Sequence, residues 1–134
     1  MSHYTRVRTV LKDPEILVLA LTDVGFAKIE RHAQAQALVG YQGDRRAQMA
    51  EIIVRRKHIG RLSNDIGFAR RGDGTFEAII SDFDRRKYGR PWLDRLAHAY
   101  GRRATLRFAA EHGYSVEEQV ERGQTRILLR RSGA

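Results

Sequence analysis

The sequence predicts an α+β fold, with a mostly antiparallel sheet and two main helices on one face, on a ferredoxin-like plan with extra strands. Three observations support this prediction. Asp13–Val24 has the start signal and apolar spacing of a helix, residues 66–81 have the pattern of a β-hairpin, and a second helical pattern covers Trp92–His112. With 134 residues, of which 42% are apolar, the chain suits a single domain over residues 1–134.

The first elements follow from local signals. Residues 3–11 are rich in β-branched side chains and predict a strand. In the helix that follows, Asp13 can cap free N–H groups, and Pro14 stands where its missing N–H costs nothing. Gly25 ends this helix, because glycine tolerates the left-handed conformation. Three further strands are then predicted, over residues 26–32, residues 36–41 and Met49–Arg56.

The second half of the chain combines two hairpins with the second helix. The first hairpin turns at Arg71–Gly74, whose Arg-Gly-Asp-Gly sequence is typical of a β-turn between strands. In the second helical region, Gly101 lowers the stability of a helix by on the order of 1 kcal/mol relative to alanine. We therefore expect a kink or a division into two helices there. The strands of the two hairpins are Ile66–Arg70 with Thr75–Ser81, and Tyr114–Glu121 with Thr125–Arg131.

Charge is the unusual property of this composition. The chain has 25 Lys and Arg residues against 16 Asp and Glu residues, a net charge of +9, and 21 of the 25 are arginines. A GC-rich genome would explain the arginines, and so would a function that binds phosphates or carboxylates through guanidinium groups. Residues 1–60 carry +4 and residues 61–134 carry +5, so the sequence has no basic tail. This even distribution weakens the prediction of nucleic-acid binding.

The sequence lacks the patterns of several common chemistries. Cysteine is absent, which excludes disulfides and thiolate chemistry. The histidines lack metal-ligand spacing, and no serine elbow or phosphate-binding glycine loop is present. We therefore predict no catalytic residue, no cofactor and no metal site. No apolar run reaches the roughly 18–20 residues that span a bilayer and no signal-peptide pattern opens the chain, so a cytoplasmic protein is predicted.

A set of short motifs occurs along the chain in a characteristic order. The motifs are Met1–Thr5, Val39-Gly40-Tyr41-x-Gly43, Asp65-Ile66-Gly67-Phe68, Tyr100, Gly113-Tyr114-x-Val116, and Arg126–Leu129 with Arg131. Over nearly its full length the chain resembles the hypothetical chloroplast reading frame thirty-five family of cyanobacteria, red-algal plastids and other bacteria. That family has no established activity. Because its genes often lie beside one for an AAA-type ATPase, the resemblance implies a protein partner, with such an ATPase as the candidate.

The leading functional hypothesis is a non-enzymatic accessory or adaptor domain in a protein assembly. Loop-to-strand junctions on a rigid sheet are typical places for contact with a ligand. The predicted partner-binding residues are Gly40, Tyr41, Gly43, Asp65 and Phe68. Tyr41 is the sharpest candidate, because an exposed tyrosine offers a large contact area and a hydroxyl group. The alternative for Tyr41 and Phe68 is that both rings belong to the core.

Two other classes of function stay open. A basic nucleic-acid-binding or RNA-associated domain would account for the charge and the arginine content. An enzyme is the third hypothesis, and its polar residues would be Asp65, His3 and Tyr41.

Overall fold

Seven strands and two helices make up residues 3–131, the part of the chain that the computed structural model describes. Met1 and Ser2, which open the first motif, lie outside the described residues. In order, the elements are β1 (Tyr4–Arg8), α1 (Pro14–Asp23), β2 (Glu30–Val39), β3 (Arg45–Val54), β4 (Ile66–Arg70), β5 (Phe76–Ser81), α2 (Arg90–His112), β6 (Tyr114–Glu121) and β7 (Gln124–Arg131). The predicted α+β class is confirmed, with two helices and mostly antiparallel strands.

The strands form two separate sheets. Five of them make an antiparallel sheet in the order β1-β5-β4-β3-β2. The unit β1-α1-β2 is a split β-α-β unit, as in a ferredoxin-like plan, with three strands between β1 and β2. After α2, the described part of the chain does not return to this sheet: β6 and β7 pair with each other and form a two-stranded sheet.

Local signals explain both helices. Asp13 caps α1, since its carboxylate accepts hydrogen bonds from the N–H groups of Glu15 (2.9 Å) and Ile16 (3.1 Å). The expectation of two helices divided at Gly101 is wrong, because α2 runs unbroken over Arg90–His112. Contacts on both sides of the glycine hold the helix, namely buried Leu96 and Ala109 and the ion pairs Arg102–Glu118, Arg103–Asp23 and Arg107–Asp13.

The main core lies between the two helices and one face of the large sheet. Leu17 and Leu21 of α1 and Leu96 of α2 are fully buried there, against Phe68 and Phe76 of the sheet. A smaller apolar cluster lies on the opposite face, which neither α1 nor α2 covers, and consists of Leu38, Ala50, Ile53 and Ile79. All four residues of this cluster are fully buried.

The far half of the β2–β3 hairpin covers this second cluster. Residues 40–44 form its turn, and the Arg46 guanidinium lies over the ring of Tyr4 in β1, 5.2 Å from the ring centre. The pairing of the two strands shifts between Arg31↔Ile52 and Gln36↔Ala50, which marks a bulge. Because the bulge interrupts the alternation along β2, the separate strands predicted at 26–32 and 36–41 are wrong and a single strand is present.

Candidate functional site

Buried polar groups collect at one end of the large sheet. Neighbouring strands run antiparallel, so β3 and β5 end where β1 and β4 begin. Two loops leave this end side by side, residues 55–65 between β3 and β4 and residues 82–89 between β5 and α2. Each loop contains a single 3₁₀ turn, at Arg56–His58 and at Asp84–Arg86.

Hydrogen bonds through Asn64 and Asp84 hold the two loops together. The buried Asp84 carboxylate accepts hydrogen bonds from the Asn64 backbone N–H (2.9 Å) and the Ser81 hydroxyl (2.7 Å). The Asn64 side chain donates to Ser81 Oγ (2.9 Å) and accepts from the backbone N–H of Tyr41 (2.9 Å). Since each of these groups is paired, the network fixes the position of one loop against the other.

Asp65 joins three strands through one fully buried carboxylate. Its Oδ2 atom accepts hydrogen bonds from the Val39 N–H (2.7 Å) and from Arg55 Nη1 (2.8 Å), and Oδ1 accepts one from the Arg56 N–H (2.7 Å). The Tyr4 hydroxyl donates to the Asp65 backbone carbonyl (2.8 Å). The carboxylate is therefore occupied by groups of the protein itself, and the prediction of Asp65 as a partner-binding residue is corrected: it holds β2, β3 and β4 in place.

Arg55 links two carboxylates of this cluster. Besides Asp65, the Arg55 guanidinium binds both carboxylate oxygens of Glu30, at 2.8 Å and 2.9 Å. That pairing lowers the pKa of Glu30 to about 2. Burial, together with the nearby Asp65 carboxylate, raises the pKa of the Tyr4 hydroxyl well above its ordinary value. At neutral pH, Glu30 is thus ionised and Tyr4 is a neutral hydrogen-bond donor.

Cations surround this buried cluster on the outside. Residues 55–65 and 82–90 carry three aspartates, of which Asp65 and Asp84 are buried. The same segments carry eight cations, namely Arg55, Arg56, Lys57, Arg61, Arg85, Arg86, Lys87 and Arg90. We call this surface the basic end. Within residues 3–131, Arg55 is the one cation of the eight that lies within 4.0 Å of a carboxylate.

Two apolar side chains are exposed among these cations. Phe83 is 37% exposed, and the guanidinium of Arg86 lies over its ring, 4.4 Å from the ring centre. Leu62 is 63% exposed in the neighbouring loop. The basic end thus presents a guanidinium–aromatic stack beside an apolar side chain.

The other predicted partner-binding residues fall in different surroundings. Phe68 is fully buried in the main core, which corrects its prediction as a contact residue. Gly40 is buried, Gly43 is exposed and Tyr41 is half-buried in the β2–β3 turn. The network through Asn64 brings Tyr41 close to Asp65, whereas Phe68 lies on the helix-covered face. A contact through Tyr41 stays a prediction.

Residues proposed for chemistry do not assemble into a recognisable centre in the described part of the chain. His3 is exposed at the start of β1, where its carbonyl accepts the Asp82 N–H (2.7 Å). Among residues 3–131, no group of three or more His, Asp or Glu side chains is placed to hold a metal ion. No helix in that range is long and apolar enough to cross a membrane.

Sequence reasoning missed the basic end. The tripeptide Arg-Arg-Lys occurs at residues 55–57 and again at residues 85–87, and each copy is followed within three residues by a glycine. This repeat was the available signal. The predicted strand Met49–Arg56 concealed it, because β3 ends at Val54 and leaves both arginines in a loop.

Comparison with known proteins places the chain in a family. A family model described as "Protein of unknown function (DUF1257)" matches residues 20–129, which run from within α1 to within β7. The chain belongs to this family. The DUF1257 match includes both loops of the basic end and the whole of β6. No curated protein and no solved structure matches the chain.

Proposed function

We propose that this DUF1257 protein is a non-enzymatic accessory domain that binds a protein partner through its β6–β7 hairpin, residues Tyr114–Arg131. The supporting observation is that, among residues 3–131, each strand of this hairpin pairs only with the other. A lone two-stranded hairpin has marginal stability in water, and unpaired strand edges are templates for a further strand. Addition of an extended segment from another protein would complete such a sheet.

The hairpin contacts the rest of the protein along α2. Arg102 of α2 binds Glu118 with two hydrogen bonds (2.8 Å and 3.2 Å), and the ring of Phe108 stacks on that of Tyr114. Farther along the same face of β6, Val116 is 37% exposed and Val120 is 76% exposed. These valines give the proposed partner an apolar contact beside the open edge.

The resemblance supplies the candidate partner. Within this proposal the chain belongs to the hypothetical chloroplast reading frame thirty-five family, and the partner is an AAA-type ATPase met in the cytoplasm. The two strands differ in charge, which favours one orientation of the partner's segment. β6 carries Glu117, Glu118 and Glu121, whereas β7 carries Arg126, Arg130 and Arg131. An incoming segment would therefore be distinguished by its charge at each edge.

Affinity purification from the native host tests this function, with the recovered ATPase measured by mass spectrometry. Val120→Glu places a charge at the proposed contact, and Val10→Glu is the matched control because Val10 is 83% exposed on the loop after β1. We expect the wild type and the Val10 variant to recover the ATPase, and the Val120 variant to lose at least about 90% of it, as for a contact worth about 1.4 kcal/mol. Equal recovery by both variants, or none by the wild type, would refute the proposal.

A further inference from the structure

The basic end concentrates charge that the protein itself does not neutralise. Six of its cations are exposed: Lys57, Arg61, Arg85, Arg86, Lys87 and Arg90. Arg56 is half-buried, and its guanidinium donates to the backbone carbonyls of Ser63 (3.0 Å) and Arg61 (2.7 Å). Carbonyl oxygens are uncharged, so these bonds orient Arg56 and leave its charge in place. Such a concentration of positive charge favours an anionic ligand.

The cations are also held in place before any ligand arrives. The hydrogen bonds from Asn64 to Asp84 and Ser81 tie the two loops together, and the Asp65 carboxylate holds the backbone of Arg56. Each Arg-Arg-Lys segment overlaps a 3₁₀ turn, at Arg56–His58 and at Asp84–Arg86. A preformed surface loses less conformational entropy on binding than a flexible basic tail does.

The exposed ring of Phe83 favours nucleic acid over other anionic ligands. Phe83 and Arg86 form a stack at the surface, with the guanidinium 4.4 Å from the ring centre. Aromatic rings and guanidinium planes are the groups on which unpaired bases stack, while neighbouring arginines bind the phosphates of the same strand. An acidic protein segment offers carboxylates for the cations but no base to stack.

We propose that the basic end is a binding site for single-stranded nucleic acid, with the exposed cations on phosphates and the Phe83–Arg86 stack against a base. Both loops contribute exposed cations: Lys57 and Arg61 come from residues 55–65, and Arg85, Arg86 and Lys87 come from residues 82–89. The site is distinct from the β6–β7 hairpin and does not depend on the protein partner proposed above.

Fluorescence anisotropy with a labelled oligouridylate of about 16 nucleotides tests this site. The variant Lys57→Gln/Arg61→Gln/Arg86→Gln removes three exposed cations from the basic end. The matched control, Lys12→Gln/Arg8→Gln/Arg95→Gln, removes three exposed cations from elsewhere and lowers the net charge equally. Melting curves check that both variants are folded.

The salt dependence of binding separates a site from general attraction. Each phosphate contact on a single strand contributes about 0.7 to the steepness of log affinity plotted against log salt concentration. The basic-end variant lacks three cations, so its plot between about 50 and 200 mM salt should be less steep than that of the wild type by about 2. The control variant should keep the wild-type slope to within about 0.7. Equal losses by both variants, or no binding by the wild type, would overturn the proposal.

Phe83→Leu tests the class of ligand, because leucine keeps an apolar side chain and removes the aromatic face. We expect oligouridylate binding to weaken about fivefold or more, and binding of inorganic polyphosphate to stay unchanged. A matched oligothymidylate and a duplex of the same length then separate single-stranded DNA and double-stranded ligands from RNA. If Phe83→Leu changes neither affinity, or if polyglutamate competes as well as oligouridylate does, the site binds polyanions in general and the nucleic-acid proposal is wrong.

Discussion

Replacement of Asp65 by alanine should remove a large part of the protein's stability. The change leaves the N–H groups of Val39 and Arg56 without their acceptor and deprives the Arg55 guanidinium of one of its two carboxylates. Removal of one partner from a buried ion pair costs about 3–5 kcal/mol. The total free energy of unfolding of a domain is about 5–15 kcal/mol, so this loss is a substantial fraction of it.

Urea denaturation followed by tryptophan fluorescence measures this effect, because Trp92 is the single tryptophan and is buried in the main core. With a denaturant slope of about 2 kcal/mol/M, the midpoint should fall by about 1.5–2.5 M. Asp73→Ala is the control, since Asp73 is an exposed turn carboxylate that accepts the Thr75 N–H (2.9 Å). If the two midpoints fall by the same amount, Asp65 does not hold the three strands together and the structural role assigned to it is refuted.

Three further predictions concern single positions. Gly67→Ala should destabilise the protein by about 1–3 kcal/mol, because a Cβ atom there would lie 2.8 Å from Cβ of Ala50; Gly72→Ala, with open space around it, should unfold close to the wild-type midpoint. The Glu30 pKa is lowered from 4.5 to about 2, so its pairing with Arg55 stabilises the fold above pH 4.5 and is lost as the pH falls toward 2; a Glu30→Gln variant whose urea midpoint keeps the wild-type pH dependence would contradict this. Tyr41 is a separate predicted contact outside the β6–β7 hairpin, so Tyr41→Ala should weaken partner binding by about 1–2 kcal/mol in a titration with the purified partner, at an unchanged melting temperature; a loss of about 3–5 kcal/mol in unfolding free energy would instead identify the ring as core.

The elements predicted correctly are those whose signals lie within the element itself. Asp13 and Pro14 specify the start of α1 by capping chemistry that does not depend on the rest of the chain. The hairpin over residues 66–81 follows from alternation and from a glycine-containing turn, and the closing hairpin follows from the same rules. Both are formed by neighbouring segments, so no tertiary information is needed to predict them.

The elements that were missed depend on contacts between distant segments. The bulge in β2 is stabilised where the β2–β3 hairpin folds over Ile79 and Tyr4, and nothing within residues 26–41 indicates that contact. Phe68 could not be assigned to core or surface, because an apolar residue at a strand start suits both. Burial of Asp65 depends equally on donors that come from two other strands.

The candidate site was the least predictable part because topology creates it. Along the sequence the two Arg-Arg-Lys segments are separated by β4 and β5. One segment falls in each half of the chain, so the net charges of the two halves do not show that the segments lie together. In the fold, the antiparallel order β5-β4-β3 brings the C-terminal ends of β3 and β5 to the same end of the sheet. A prediction of sheet order, rather than of strands alone, would have been needed to place these cations together.

The pairing of β1 with β5 sets the order in which the protein can form during synthesis. Tyr4 lies opposite Ser81, so after β1 leaves the ribosome it has no neighbour in the sheet until residue 81 has been made. At about 5–20 residues per second, β1 waits for several seconds while β2 to β5 are synthesised. Throughout that interval β1 is open to strands of other nascent chains, and its cations Arg6 and Arg8 repel a second copy of the same strand.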